Sequence, residues 1–172
     1  MGISGSDHRP AEANYKIVAG RVDSIQVIYN PLDQRPRFHL FPLAHTHQVG
    51  ILARVPLASG ALTGTWKEHR TFPPDDWRAR VFTGETLRLT VSHVNALQQI
   101  AGEVGCSMLE FAVRYCISDP AVSSTIPGAR TPEQAESMMQ ARLAGPLPEE
   151  ALKRVEARGE QGVKHQMSAR MG

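Results

Sequence analysis

At 172 residues the chain is long enough for a domain with a substantial hydrophobic core. Its 41% hydrophobic and 21% charged residues describe an ordinary globular protein, and a net charge of +2 spread over scattered basic residues argues against nucleic-acid or membrane-surface partners. Cys106 and Cys116 lack metal-ligand spacing, and the chain shows neither an apolar run of membrane-spanning length nor a signal-peptide pattern, so a reducing cytoplasmic setting is expected.

In chain order, Met1 to Ser6 fits the N-myristoylation pattern, but Gly2-Ile3-Ser4 is better explained as the remnant of a strand. A helix is expected from Pro10 to Ala19 with Gly20 as its stop. Val22 to Asn30 is the clearest strand, with Ile25, Val27 and Ile28 giving apolar character to both faces. A helical segment from about Arg35 to Gln48 follows, broken at Pro42. Gly50 to Pro56 reads as the next strand. The stretch from Leu57 to Gly84 is long and rich in Gly, Pro, Trp and charge, which suits a functional loop over a site. Within it, Asp75, Asp76 and Arg78 read as a hydrated or loop-closing cluster.

Glu85 to Val104 places Leu87, Val91, Val94, Leu97, Ala101 and Val104 on one helical face. Ser107 and Glu110 form a capping box for a helix to about Ser118. Val122 to Ile126 is a short β-branched run, suited to a strand buried on both faces. Helices from Thr131 to Arg142 and from Pro148 to Arg158 complete the pattern, with a polar, frayed tail from Gly159. Strands alternating with helices imply a parallel sheet, either a barrel or an open doubly wound sheet.

The stretch from Ile126 to Gln134 carries the most chemistry. Pro127-Gly128 ends the strand. Thr131, Pro132 and Gln134 then match a helix start: hydroxyl at the N-cap, Pro at the first position, Gln three after the cap. Free N–H groups and the partial positive charge at a helix start favour an anion, Gly128 permits close approach, and Arg130 offers a two-pronged contact to a phosphate. A plain capped turn with a surface Arg is the competing reading.

Three ordered segments carry a family resemblance: Val22-Asp23-Ser24-Ile25-Gln26-Val27-Ile28-Tyr29-Asn30, then Ala53-Arg54-Val55-Pro56-Leu57-Ala58-Ser59-Gly60-Ala61-Leu62-Thr63-Gly64, then Ile126-Pro127-Gly128-Ala129-Arg130. Together they resemble the aldo/keto reductase family over residues 2 to about 158. The resemblance implies an α/β fold: a partial (β/α)8 TIM barrel of about four βα units plus a C-terminal helix, corresponding to strands five to eight. It also implies a nicotinamide cofactor, NADP with NAD as the alternative, and reduction of carbonyls to alcohols. Residues 1–158 would form this C-terminal half and 159–172 a flexible tail.

Carried over by position, the resemblance assigns Ser4 and Gln26 to the nicotinamide carboxamide, with Gly5 standing where an Asn usually adds a contact. Gln26 has the donor and acceptor an amide partner needs, although a core Gln satisfied by neighbours is the plainer alternative. Arg54 stands where many relatives place a Tyr stacked on the nicotinamide, and a guanidinium can stack or reach a phosphate, or simply lie at the surface. Pro56, Leu57, Ser59 and Leu62 match the loop along the pyrophosphate. Gly128, Ala129 and Arg130 match the 2′-phosphate turn, and Gln134 an adenine-side position often held by Arg, while Ser137 and Met138 replace a frequent Glu-Asn pair. Such barrels bind phosphate after strands seven and eight.

The family's catalytic Asp, Tyr, Lys and His belong to strands two to four, which correspond to nothing in this sequence. Tyr15 and Lys16 are adjacent on a helix and point apart, His45 and His47 do not share a helical face, and Tyr29 ends a strand near the expected site without a Lys partner. The resemblance therefore implies an oxidoreductase reduced to its cofactor-binding half and inactive alone. The alternative is a non-catalytic nucleotide-binding or structural remnant. Open sheet edges would allow a homodimer, and a carbonyl substrate enters only if the missing half is supplied.

Overall fold

The computed structural model describes residues 2–4, 16, 17 and 19–170, with residues 3, 4 and 160–170 described by backbone alone. Four strands, β1 (Gly2–Ser4), β2 (Ser24–Ile28), β3 (Gly50–Arg54) and β4 (Val122–Ile126), form one parallel sheet in the order β1-β2-β3-β4. Helices α1 (Pro36–Thr46), α2 (Arg78–Val81), α3 (Gly84–Val104), α4 (Met108–Ser118), α5 (Pro132–Leu143) and α6 (Glu149–Arg170) fill the connections, with a 3-10 turn over Ala58–Thr63. The expected helix from Pro10 lies mostly outside the described residues. Lys16 and Ile17 are helical, and Gly20 turns the chain at φ 63°.

Register sorts the strand residues into two faces. Ile25 pairs with Ile51 and Val27 with Ala53, and all four are buried. Alternation places Ser24, Gln26 and Ile28 on the other face, paired with Gly50, Leu52 and Arg54, all half-buried. The first set packs under the helices with Val91, Val94, Leu97, Phe111 and Tyr115 in one core. Burying each such aliphatic or aromatic side chain is worth about 1.5–3 kcal/mol. The second set lines the concave side.

β4 departs from the expected strand buried on both faces. Ser123 and Ser124 are exposed, and Ile126 is 42% exposed. The reason is topological: among the described residues β4 pairs with β3 on one side only, and its register slips beside Ile51 and Leu52. Thr125 still turns toward the helices, its Oγ1 donating to the Ala53 carbonyl at 3.2 Å.

Pro42 does not break α1, which runs unbroken through it. Its ring sits on the exposed side of the helix, and Phe38, whose carbonyl it leaves unbonded, is exposed as well. The expected apolar face of α3 is buried at Leu87, Val91, Val94, Leu97 and Ala101, joined by Ile100, while Val104 is only partly covered. Ser107 caps α4 by accepting from Glu110 N–H at 3.2 Å, but the Glu110 carboxylate accepts from Arg114 rather than closing the box. Among the described residues no helix is long and apolar enough to cross a membrane.

The final helix was expected to stop at Arg158 and instead extends to Arg170. From Glu149 onward the sequence contains no proline and many helix formers, which carry the helix through Gly159 and Gly162. Gly159 also has a packing reason. The Gln34 side chain is buried below it and donates to the carbonyls of Pro31 and Val155 at 3.1 and 3.0 Å. A Cβ at Gly159 would overlap the Gln34 amide.

Gly159→Ala gains about 1 kcal/mol of helix propensity but must displace Gln34 from both of its bonds, each worth about 1 kcal/mol. The expected outcome is a Tm lowered by a few degrees. A raised Tm in thermal denaturation would show that Gln34 moves without cost.

Candidate functional site

The residues singled out in sequence converge at the C-terminal ends of β1 to β4. Ser4, described by backbone alone, pairs with Gln26, and Gln26 pairs with Leu52 on the concave face. Arg54, one pleat further along β3, lies between Ile28 and Ile126. Parallel pairing thus aligns Gln26 and Arg54 on one face although 28 positions separate them in sequence.

The chain beyond Arg54 is held in an unusual conformation. Val55, Ala58 and Ser59 have φ of 55°, 46° and 59°, in the left-handed region that costs a side chain energy, most of all a β-branched one. Gly60 follows at φ 100°. Such a run persists only when its surroundings impose it, and strained backbone concentrates at ligand sites. Within the turn, Ala58 N–H donates to Val55 O at 3.0 Å, and Gly60 and Leu62 N–H both donate to Leu57 O. Pro56 is buried, Leu57 and Ser59 are half-buried, and Leu62 is fully buried in the core. The Leu62 side chain is therefore structural, and it can serve a ligand only through its backbone.

The expected loop from Leu57 to Gly84 is an ordered strap whose aromatic cluster joins the main core. Trp66 is buried and meets Phe72 and Phe82 edge-on at centroid distances of 5.0 and 4.9 Å. The Arg78 guanidinium lies 4.9 Å from the Phe72 ring centre, bonds Asp76 in two-pronged fashion, and donates to the Ser59 carbonyl at 3.2 Å. The Asp76–Arg78 cluster expected from sequence thus closes the strap onto the strained turn, while Asp75 has no part in that clasp. The Asp76 carboxyl is held down at about 2, first by the Arg78 side chain and backbone N–H, with a smaller contribution from the positive charge of Arg130.

At the end of β4 the helix start forms as expected. Thr131 is the N-cap and Pro132 the first residue of α5, and Thr131 Oγ1 accepts from Gln134 N–H at 3.3 Å. The Gln134 side chain is engaged locally, its Oε1 accepting from Arg130 N–H at 2.9 Å. That bond sets the turn's shape and occupies one of the amides an anion would otherwise use. Gly128, Ala129 and Arg130 are exposed.

Other candidates fall away. Tyr29 is 1% exposed, lies on the helix side of the sheet against Phe41 and Tyr115, and has its phenol pKa raised by burial. It is a core residue rather than an acid at the concave face. Tyr15 lies outside the described residues. His45 and His47 are exposed on α1 and its end, and among the described residues no cluster could hold a metal. Cys106 and Cys116 are free thiols, and the Cys116 thiol is pushed up to about 12 by burial. A shallow hollow of about 380 Å³ adjoins the opposite, N-terminal ends of β3 and β4, lined by His45, Gln48, Gly50, Pro120 and Ser123 among others, and contains none of the cofactor candidates.

Sequence reasoning missed Asn30. It is 2% exposed, its Oδ1 accepts from Leu32 and Asp33 N–H, and its Nδ2 donates to the Val55 carbonyl at 3.0 Å. An Asn before Pro at a strand's end is a turn signal, but the partner 25 positions away is not visible in the pattern.

The model of the aldo/keto reductase family matches residues 1–160. Among curated relatives, a probable voltage-gated potassium channel subunit beta from Oryza sativa subsp. japonica is 34% identical over 76% of this chain and 43% of its own length. An uncharacterized oxidoreductase of Bacillus subtilis is 27% identical over 92% of this chain and 50% of its own. The structure of a glycerol dehydrogenase from Gluconobacter oxydans superposes with a TM-score of 0.77 at 26% identity, covering 91% of this chain and 47% of that one. The chain therefore spans about half the length of the proteins it matches.

Both tryptophans, Trp66 and Trp77, lie in the strap, so intrinsic fluorescence reports on it. Because the Asp76 carboxyl is depressed from 3.8 to about 2, its clasp is fully present above pH 3.8 and is lost as pH falls from there through about 2. A tryptophan emission change in that window, abolished in Asp76→Asn, is expected. An identical titration of the variant would remove Asp76 from the clasp.

Proposed function

The chain belongs to the aldo/keto reductase family, and we propose that it is the cofactor-holding half of an NADP(H)-dependent oxidoreductase that reduces carbonyl compounds to alcohols. The observation that carries this reading is the gathering of Gln26, Arg54, the left-handed turn after β3 and the capped start of α5 at one end of the sheet. That is the end at which β/α barrels bind phosphates and substrates.

The residues present fit the dinucleotide in kind. Gln26 offers both a donor and an acceptor to a carboxamide, and Ser4 stands beside it in register. Arg54 supplies a planar cation near the ring end. The turn from Pro56 through Ser59 offers backbone shaped for close approach to a pyrophosphate. Gly128, Ala129 and Arg130 offer an exposed, cationic turn to a 2′-phosphate, and Gln134 shapes that turn from within. Arg130 favours NADP over NAD through that charge, although Asp76 offsets part of it. When bound, the nicotinamide supplies the hydride.

No proton donor is assigned to the described residues of this chain, since Tyr29 and Tyr115 are buried on the helix side of the sheet. The half of the barrel corresponding to strands one to four would bring the Asp, Tyr, Lys and His. Pairing of β1 and β4 with that half, or with a second copy, would cover the concave face. A nucleotide-binding remnant without turnover is the second reading, favoured by the half-exposed concave face. Free Cys106 and Cys116 suit a reducing cytoplasm.

The purified chain is expected to oxidise no NADPH with a broad aldehyde panel. Turnover comparable to a full-length relative would overturn the proposed division of labour. NADPH should nevertheless raise its Tm, and Arg130→Ala should weaken NADPH binding by about 1–3 kcal/mol while reducing its preference over NADH. Unchanged affinity in isothermal calorimetry would move the phosphate site elsewhere.

A further inference from the structure

We propose that Asn30 is a positioning residue for the cofactor turn: its side-chain amide holds the Val55 carbonyl and so imposes the left-handed backbone from which residues 55–60 take their shape. The inference rests on the cofactor reading above and adds a role to a residue outside the expected contact set.

Three observations carry it. Asn30 is almost wholly buried, so each of its polar atoms must find a partner within the protein. Its Oδ1 accepts two N–H bonds, from Leu32 at 2.9 Å and Asp33 at 3.0 Å, which fixes the amide's orientation and points Nδ2 at Val55 O, 3.0 Å away. Backbone bonds between Asn30 and Asp33 in both directions lock the same turn. The donor is therefore rigid before it meets Val55.

Val55, the β-branched member of the left-handed run, carries the greatest conformational penalty. Its carbonyl accepts from Asn30 Nδ2 and from Ala58 N–H together. Arg78 holds the far end of the same turn through the Ser59 carbonyl. The unfavourable residues Val55, Ala58 and Ser59 thus lie between two anchors, a neutral buried one from the end of β2 and a charged one from the strap. Asn30, just beyond the end of the strand that carries Gln26, ties that strand end to the turn beyond Arg54. It would set the spacing between the carboxamide end and the pyrophosphate end of the site.

Asn30→Asp separates this role from a merely structural one. It keeps the oxygen that accepts from Leu32 and Asp33 but replaces the donor to Val55 with a carboxylate oxygen. Amide hydrogen exchange in the ligand-free chain is expected to rise across residues 55–62 while β2 and α1 stay protected, and NADPH affinity to fall about tenfold. Val55→Gly relieves the left-handed penalty, and in that background the Asn30→Asp effect on affinity should shrink to less than about threefold. Unchanged exchange at 55–62, or fully additive effects of the two substitutions, would overturn the proposal. Failure of the unsubstituted chain to bind NADPH would instead overturn the cofactor reading, and with it the binding role of Asn30. The exchange result would still decide separately whether Asn30 holds the turn.

Discussion

Ile25 opposite Ile51 and Val27 opposite Ala53 decide which side of the sheet meets the helices, and the rest of the molecule follows from that choice. A strand alternates with a period of two, so burying these residues under the helices commits Gln26, Ile28, Leu52 and Arg54 to the concave face. A slip of one residue would place Gln26 in the apolar core and Val27 in the cleft. Core packing and the placement of Gln26 and Arg54 are thus enforced by the same register. Neither could be altered without the other.

At the ends of the strands the division becomes one between strain and restraint. The turn from Val55 to Gly60 holds a backbone that three of its residues disfavour. Two restraints oppose that tendency, the buried amide of Asn30 and the Arg78 guanidinium paired with Asp76. The strap carrying Arg78 contains the short helix α2 and is organised around Trp66, Phe72 and Phe82. The aromatic cluster therefore supports, through Arg78, the backbone of the turn at Ser59. The Asp76 carboxylate also lies within electrostatic reach of Arg130, which links the strap to the turn before α5.

The concave face gives the fold its incomplete character. β4 exposes Ser123, Ser124 and Ile126 because, among the described residues, only β3 pairs with it. In a closed barrel, side chains from both halves fill the interior. The chain spans about half the length of the relatives it matches, and one face of its sheet is left half-buried. Gln26 and Arg54 lie on this same half-buried side of the sheet.

Much of this was legible in the chain itself. The strand runs, the one-sided apolar spacing of α3, the Ser107 cap and the Thr131-Pro132 helix start depend on local chemistry, and local chemistry is written in adjacent residues. The three ordered motifs were enough to place the family. The tertiary structure decided what depends on distant partners. Pro42 is tolerated because its side of α1 faces water, β4 is half exposed because among the described residues it pairs with β3 alone, and Tyr29 is buried because Tyr115 and Phe41 close over it. Gly159 meets Gln34 across 125 positions, and Asn30 meets Val55 across 25. Hydrogen bonds and steric contacts of that kind act over a few ångströms in space and leave no periodic trace along the chain.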